Sequence, residues 1–216
     1  MSAARLIALG DSCVAMQFSE TIEEAVNQRC IAVAEELDRR RLCGVLDAVP
    51  TYNAVTVYFD PLTIDRRSLD VELHSVVDSA PPATNPTPRL VEIPVSYGGA
   101  SGPDLQAVAE FAGASADEVV SLHTRKTYRV YMLGFLPGFA YMGSVDARIA
   151  MPRLETPRMR VTAGSVGIAG AQTGIYPCDT PGGWRIIGRT LQKMFDPSAS
   201  EPCFLKAGDS VRFVAQ

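Results

Sequence analysis

The stretch Pro81-Pro82-Ala83-Thr84-Asn85-Pro86-Thr87-Pro88 places four prolines in one short segment. Each proline lacks a backbone donor and fixes φ, so neither a helix nor a central strand can run through it. The chain must therefore fold in two pieces: a domain over residues 1–80, a linker over 81–89 and a second domain over 90–216. Of the 216 residues, 47% are apolar and 20% charged, enough for a buried core on each side of the break.

The first piece mixes two periods. Arg5 to Leu9 and Val14 to Phe18 are short runs of strand-forming residues. Thr21-Ile22-Glu23-Glu24 has the capping-box form, a hydroxyl followed three residues later by a carboxylate, and predicts a helix starting there. Ile22, Val26, Val33 and Leu37 then fall on one face, and Arg39, Arg40 and Arg41 suit the negative end of the helix. That basic triplet needs no nucleic-acid explanation. A strand over Ala54 to Phe59 ends at Asp60-Pro61, and a second helix carries Leu69, Leu73, Val76 and Val77 on its buried stripe, leaving His74 off it.

The second piece opens with a strand at Val91 to Tyr97. A helix follows from Gly102-Pro103-Asp104 to Gly113, and Ser115-Ala116-Asp117-Glu118 caps a short helix that ends near His123. From Thr127 onward short apolar runs alternate with glycine and proline turns, which describes a compact β barrel or sandwich. The fold class expected is α+β: a small N-terminal α/β domain, then a β-rich domain.

Composition excludes several functions. A net charge of −4 disfavours a nucleic-acid ligand, because phosphate-backbone binding needs clustered positive charge. Cys13, Cys30, Cys43, Cys178 and Cys203 are widely spaced and never C-x-x-C, and the only histidines, His74 and His123, lie far apart. No disulfide framework and no metal site is expected. No run of about 18 apolar residues is present, and the apolar stretch after Met1 is too short for a signal peptide, so the expected location is the cytoplasm, with no membrane partner.

The densest unusual signals are Gly134-Phe135-Leu136-Pro137-Gly138-Phe139-Ala140-Tyr141, Gly164-Ser165-Val166-Gly167-Ile168-Ala169-Gly170-Ala171-Gln172-Thr173-Gly174 and Thr180-Pro181-Gly182-Gly183-Trp184. Glycines let backbone approach a ligand and expose N–H groups to an anion; equally, they turn the corners of a small barrel. Arg148, Arg153, Arg158 and Arg160 could clamp a carboxylate or phosphate, or pair with surface acids such as Glu155 and Asp146. His123 suits general acid–base work at neutral pH or a packing role, and Trp184 suits the core or a pocket wall. No G-x-x-x-x-G-K-[ST] loop exists, Ser165 follows Ala163-Gly164 and so misses G-x-S-x-G, and Gln192-Lys193-Met194 is no biotin-attachment segment.

Taken in order, His123, Tyr128-Arg129-Val130-Tyr131, Gly134 to Phe139, Ala163 to Ile168, Gln172-Thr173-Gly174-Ile175-Tyr176-Pro177, Thr180 to Trp184, Ile187-Gly188-Arg189-Thr190, Phe195-Asp196-Pro197 and Gly208 to Val214 resemble the allophanate hydrolase subunit 1, or kinase-inhibitor KipI, family. The match covers nearly all of the second piece and the first mainly in layout. Thr162 and Ala140 stand where relatives often carry proline, a difference of loop rigidity. The resemblance implies a ferredoxin-like N-terminal domain before a cyclophilin-like barrel. It also implies membership of a three-subunit 5-oxoprolinase that opens 5-oxoproline to glutamate, with ATP as co-substrate, Mg2+ supplied through the complex, subunits A and C as partners, and no activity alone. Two other functions carried by the family are a urea or allophanate pathway component and a non-enzymatic inhibitor of a sensor histidine kinase. The catalytic candidates are His123, Gln172 and Thr173. Candidates for substrate or nucleotide binding are Gly134, Phe135, Pro137, Gly138, Phe139, Arg153, Arg158, Gly164, Ser165, Gly167, Gly182, Gly183, Trp184 and Arg189.

Overall fold

A computed structural model describes residues 4–81 and 88–216, which divide into two compact units, Met1–Thr87 and Pro88–Gln216. Most of the proline-rich linker expected over 81–89 lies outside the described residues.

In the first unit β1 (Arg5–Ala8), β2 (Cys13–Gln17), β3 (Val45–Pro50) and β4 (Ala54–Phe59) form an antiparallel sheet in the order β1-β2-β4-β3. Strand alternation sends Val14, Met16, Val55 and Val57 to one face, where they bury against Val33 and Leu37 of α1 (Glu24–Arg40) and Leu69, Leu73 and Val76 of α2 (Arg66–Ser79). The helix expected from Thr21 begins three residues later. The Thr21 hydroxyl donates to the Glu23 carboxylate at 2.7 Å instead of capping a backbone N–H, and Ile22 stays 57% exposed. The arginines at the end of α1 hold Glu36, with Arg39 Nη2 at 2.7 Å and Arg40 Nε at 2.8 Å. These hydrogen bonds pull its carboxyl down to about 2. The strand β3 has no clear alternation and escapes sequence reading; its place is set by pairing with β4.

In the second unit seven strands close a barrel in the order β10-β7-β6-β13-β5-β12-β9. They are β5 (Leu90–Tyr97), β6 (Thr127–Leu133), β7 (Ala140–Gly143), β9 (Ser165–Ala169), β10 (Gln172–Ile175), β12 (Arg185–Arg189) and β13 (Ser210–Ala215). Closure depends on the parallel pairing of β5 with β13, the first and last strands of the unit, in the register Val91 to Val211 and Ile93 to Phe213. Two further strands, β8 (Arg158–Val161) and β11 (Thr180–Gly182), make a separate ribbon. Helices α3 (Leu105–Ala112) and α4 (Ala116–Thr124) send Leu105, Val108, Val119 and Leu122 into the barrel core. Gly113 ends α3 in the left-handed conformation at φ 60°, and Ser115 caps α4 by accepting the Glu118 N–H at 3.1 Å, as the spacing predicts. The class is α+β. No helix among the described residues is long and apolar enough to cross a membrane.

Candidate functional site

Alternation along the barrel strands separates two sets of residues that look alike in sequence. Ala140 and Met142, Val166 and Ile168, Ile175 and Ile187 point into the barrel core. Their neighbours Phe139, Tyr141, Ala169, Tyr176 and Ile186 point out and, with Trp184, Val161 and Leu136, form a second apolar cluster on the outer face of β7, β9, β10 and β12.

Phe139 is the hub of this outer cluster. Its ring meets Tyr141, Trp184, Tyr176 and Phe135 edge to face, with centroids 4.9, 5.3, 5.4 and 5.5 Å away. Each such pair adds about 0.5–1.5 kcal/mol beyond area burial. Two glycines make the layer possible. A Cβ at Gly174 would stand 3.1 Å from both the Phe139 and Trp184 rings, and one at Gly167 would stand 3.1 Å from Trp184 Cβ. Gly182 clears the Tyr176 ring in the same way, and Gly138 clears the backbone of Met194. Gly164, at φ 82°, lies against the Thr190 carbonyl, while the Thr190 N–H donates to the Gly164 carbonyl at 2.9 Å. Protein atoms therefore fill the space that glycine leaves at these positions, and close packing accounts for them.

The loop Gly134 to Phe139 joins β6 to β7 through a hydrogen bond from Gly134 N–H to Phe139 O at 3.1 Å. It lifts Phe135 to the surface, 59% exposed and at φ 68°. A non-glycine residue held in the left-handed region is strained, a condition that clusters at functional sites. Pro137 is exposed beside it.

Three of the four loop arginines are committed. Arg148 pairs with Glu118 at 2.8 Å and Asp146 at 3.4 Å, Arg160 with Asp179 at 2.6 Å, and Arg158 with Asp104 at 2.6 Å. In sequence Asp104 is legible only as part of a helix start. Its second carboxylate oxygen accepts the buried Ile186 N–H at 2.6 Å while its own N–H donates to Ile186 O at 2.9 Å, which ties the start of α3 to β12. Arg153 differs from the other three. Its guanidinium carbon lies 5.9 Å from the Trp184 ring centre, and among the described residues no carboxylate pairs with it. Arg189, exposed at the end of β12, donates to the Ala163 carbonyl at 3.0 Å, and Ser165 is buried in β9.

His123 sits elsewhere, fully buried inside the barrel and stacked on Phe213 with ring centroids 4.5 Å apart. Thr173 Oγ1 donates to Gly167 O at 3.0 Å and lies 2.9 Å from His123 Nε2; Tyr97 Oη lies 2.7 Å from Nδ1. These partners assign the tautomer: Nε2–H donates to Thr173, and Nδ1 accepts from Tyr97. Burial pushes the imidazole down to about 3, so it stays neutral at physiological pH and has no route to solvent. The expected general acid or base is thus a satisfied core histidine in this structure, because the short helix α4 turns position 123 inward with Val119 and Leu122. Thr173 shares that buried place, whereas Gln172 begins β10 half-buried and shares the outward face with Gly174 by alternation. Tyr97, Tyr141 and Tyr176 escape sequence reading, since nothing local tells a core phenol from a wall phenol.

An α+β chain with a closed seven-stranded barrel, an aromatic layer on its outer wall and one uncommitted arginine above that layer defines the class of protein. The chain belongs to the carboxyltransferase domain, subdomain C and D, family, which it matches over residues 4–205. It is 40% identical to the B subunit of 5-oxoprolinase from Bacillus subtilis, over 95% of this chain and 90% of that relative. It is 42% identical to the B subunit of 5-oxoprolinase from Escherichia coli O157:H7, over 100% of this chain and 98% of that relative. Among solved structures, the crystal structure of TTHA0988 superposes with a TM-score of 0.84 at 40% identity, covering 94% of this chain, which spans 40% of the TTHA0988 chain. The urea amidolyase of K. lactis shares the fold with a TM-score of 0.78 at 16% identity, over 98% of this chain and 15% of its own.

Proposed function

We propose that this chain is the B subunit of an ATP-dependent 5-oxoprolinase, which hydrolyses 5-oxo-L-proline to L-glutamate together with subunits A and C and is inactive without them. The observation that carries the reading is the pair of relatives of that name, which align with this chain over nearly the whole length of both partners. The likeness to urea amidolyase is one of fold and carries no substrate with it.

The chemistry explains the division of labour. A lactam is resonance-stabilised and resists water. Transfer of the γ-phosphoryl group of ATP to the lactam oxygen, with ADP leaving, turns the ring carbon into an electrophile. Water adds to that carbon, the C–N bond breaks with nitrogen taking a proton, and a second water releases phosphate. Such a sequence needs an anion clamp for the phosphoryl group and donors for the developing oxyanion. This chain's glycines face protein atoms, and its described residues hold no group of three or more His, Cys, Asp or Glu suited to a metal ion. The nucleotide with its Mg2+ is therefore assigned to surfaces contributed by the other two subunits, and this chain contributes the aromatic wall and its arginine.

The test is ADP release dependent on 5-oxo-L-proline, measured with the chain alone, with the other two subunits alone, and with all three combined. Turnover confined to the full set supports the reading. Absence of substrate-stimulated ADP release from the full set sinks it.

A further inference from the structure

The Arg153 side chain is exposed and has no carboxylate partner, yet the segment that carries it is held firmly. Met151 O accepts the Gly170 N–H at 2.9 Å, Pro152 O accepts Arg185 Nε–H at 3.1 Å, and the Leu154 N–H donates to Gly183 O at 2.7 Å. Backbone or side-chain bonds thus anchor the chain before and after Arg153 onto the barrel wall. The guanidinium lies over Trp184, and its charge also reaches the phenols of Tyr141 and Tyr176, which burial raises and Arg153 opposes. A cation placed in this way, flanked by aromatic faces and by the strained, exposed Phe135, has the parts needed for a small planar acid: one charged donor fork and an apolar wall.

We infer that Arg153 and the Trp184–Tyr141 wall form a carboxylate subsite, in which the guanidinium takes the carboxylate of a small cyclic acid and the aromatic wall takes its ring. The identity of that acid as 5-oxo-L-proline rests on the function proposed above; the subsite itself rests on the geometry. Arg158 cannot serve in its place, because Asp104 already holds it at 2.6 Å. Arg153 binds and orients, and the bond-breaking steps fall to groups brought by the partner subunits.

Trp184 is the chain's single tryptophan, so its fluorescence reports on the subsite without labelling. Titrating the full chain with 5-oxo-L-proline is expected to give a saturable change. That change should weaken by about tenfold to a hundredfold in Arg153→Gln, as loss of one charge-assisted contact implies, and recover in part in Arg153→Lys. The same lactam ring without a carboxylate, 2-pyrrolidinone, should give no comparable response. In the three-subunit complex Arg153→Gln should raise KM for 5-oxo-L-proline by a similar factor, with a smaller effect on kcat. A flat titration of the unaltered chain, or equal curves for the unaltered and Arg153→Gln chains, overturns the subsite. Turnover of 5-oxo-L-proline with a KM indifferent to Arg153 removes the subsite and leaves the 5-oxoprolinase reading intact. An Arg153-dependent titration in a complex that never turns over 5-oxo-L-proline does the reverse.

Discussion

The hydroxyl of Tyr97 lies 2.7 Å from Nδ1 of His123 and fixes the imidazole as a neutral acceptor inside the barrel. Together with the bond from Nε2 to Thr173, this contact joins β5, α4 and β10, elements distant in sequence. His123→Ala leaves the Tyr97 and Thr173 hydroxyls short of a buried partner and opens a void beside Phe213. The expected loss is about 3 kcal/mol or more, read by denaturant unfolding. His123→Gln, in complexes that remain folded, should keep most of its turnover; a loss of about a hundredfold at unchanged stability would return His123 to the chemistry.

The same histidine makes stability depend on pH. Burial holds the folded imidazole down to about 3, against 6.5 for the free side chain. As pH falls through 6.5 the unfolded chain takes up a proton that the folded chain refuses, so stability falls with falling pH. The slope is up to about 1.4 kcal/mol per pH unit. Unfolding free energies measured from pH 6.5 down to about pH 5 should show this slope, and His123→Gln should flatten it; the only other histidine, His74, is exposed.

Asp104 ties three elements through one carboxylate, holding Arg158 and the buried Ile186 N–H at 2.6 Å each. Replacing it with Ala strands both donors, at an expected cost of about 2–4 kcal/mol. Asp104→Asn keeps one acceptor and should lose less. Hydrogen exchange at the Ile186 amide distinguishes this local cause from general loosening: the Ala variant should lose protection there first.

Two glycines of similar appearance should respond differently to Ala. Gly174→Ala drives a methyl into Phe139, Trp184 and the Ala140 carbonyl, 3.0–3.1 Å away, and should destabilise by about 1–3 kcal/mol with a shift in Trp184 emission. Gly170→Ala meets open space at φ 56° and should cost about 1–2 kcal/mol from the left-handed backbone alone, leaving Trp184 emission unchanged. Thermal or denaturant unfolding with fluorescence readout separates the two.

Much of the fold is legible because its signals are local. Alternation marks β2 and β4, helical spacing marks α2, Ser115 caps α4 through its own neighbours, and Gly113 ends α3 where a left-handed residue is needed. Reading fails where the cause lies across the chain. The helix α1 begins late because Thr21 finds the Glu23 side chain, and β3 exists only through β4. The arginines of the 148–160 segment are identical as letters; only distant Asp104, Asp179 and Glu118 decide that Arg158, Arg160 and Arg148 are occupied while Arg153 is not.

By itself, then, the sequence determined the break at the prolines, the α+β class, the turn-dense second unit and, through ordered motifs, the family. Those depend on backbone restriction and on apolar spacing, which act within a few residues. Tertiary structure alone decided which side of the barrel wall each residue faces. Closure of β5 against β13 turned His123 and Thr173 inward to a satisfied core, and it placed Gly167, Gly174 and Trp184 outward beneath Arg153. A one-residue change of strand register exchanges those faces, and register is set by the pairing of strands distant in sequence.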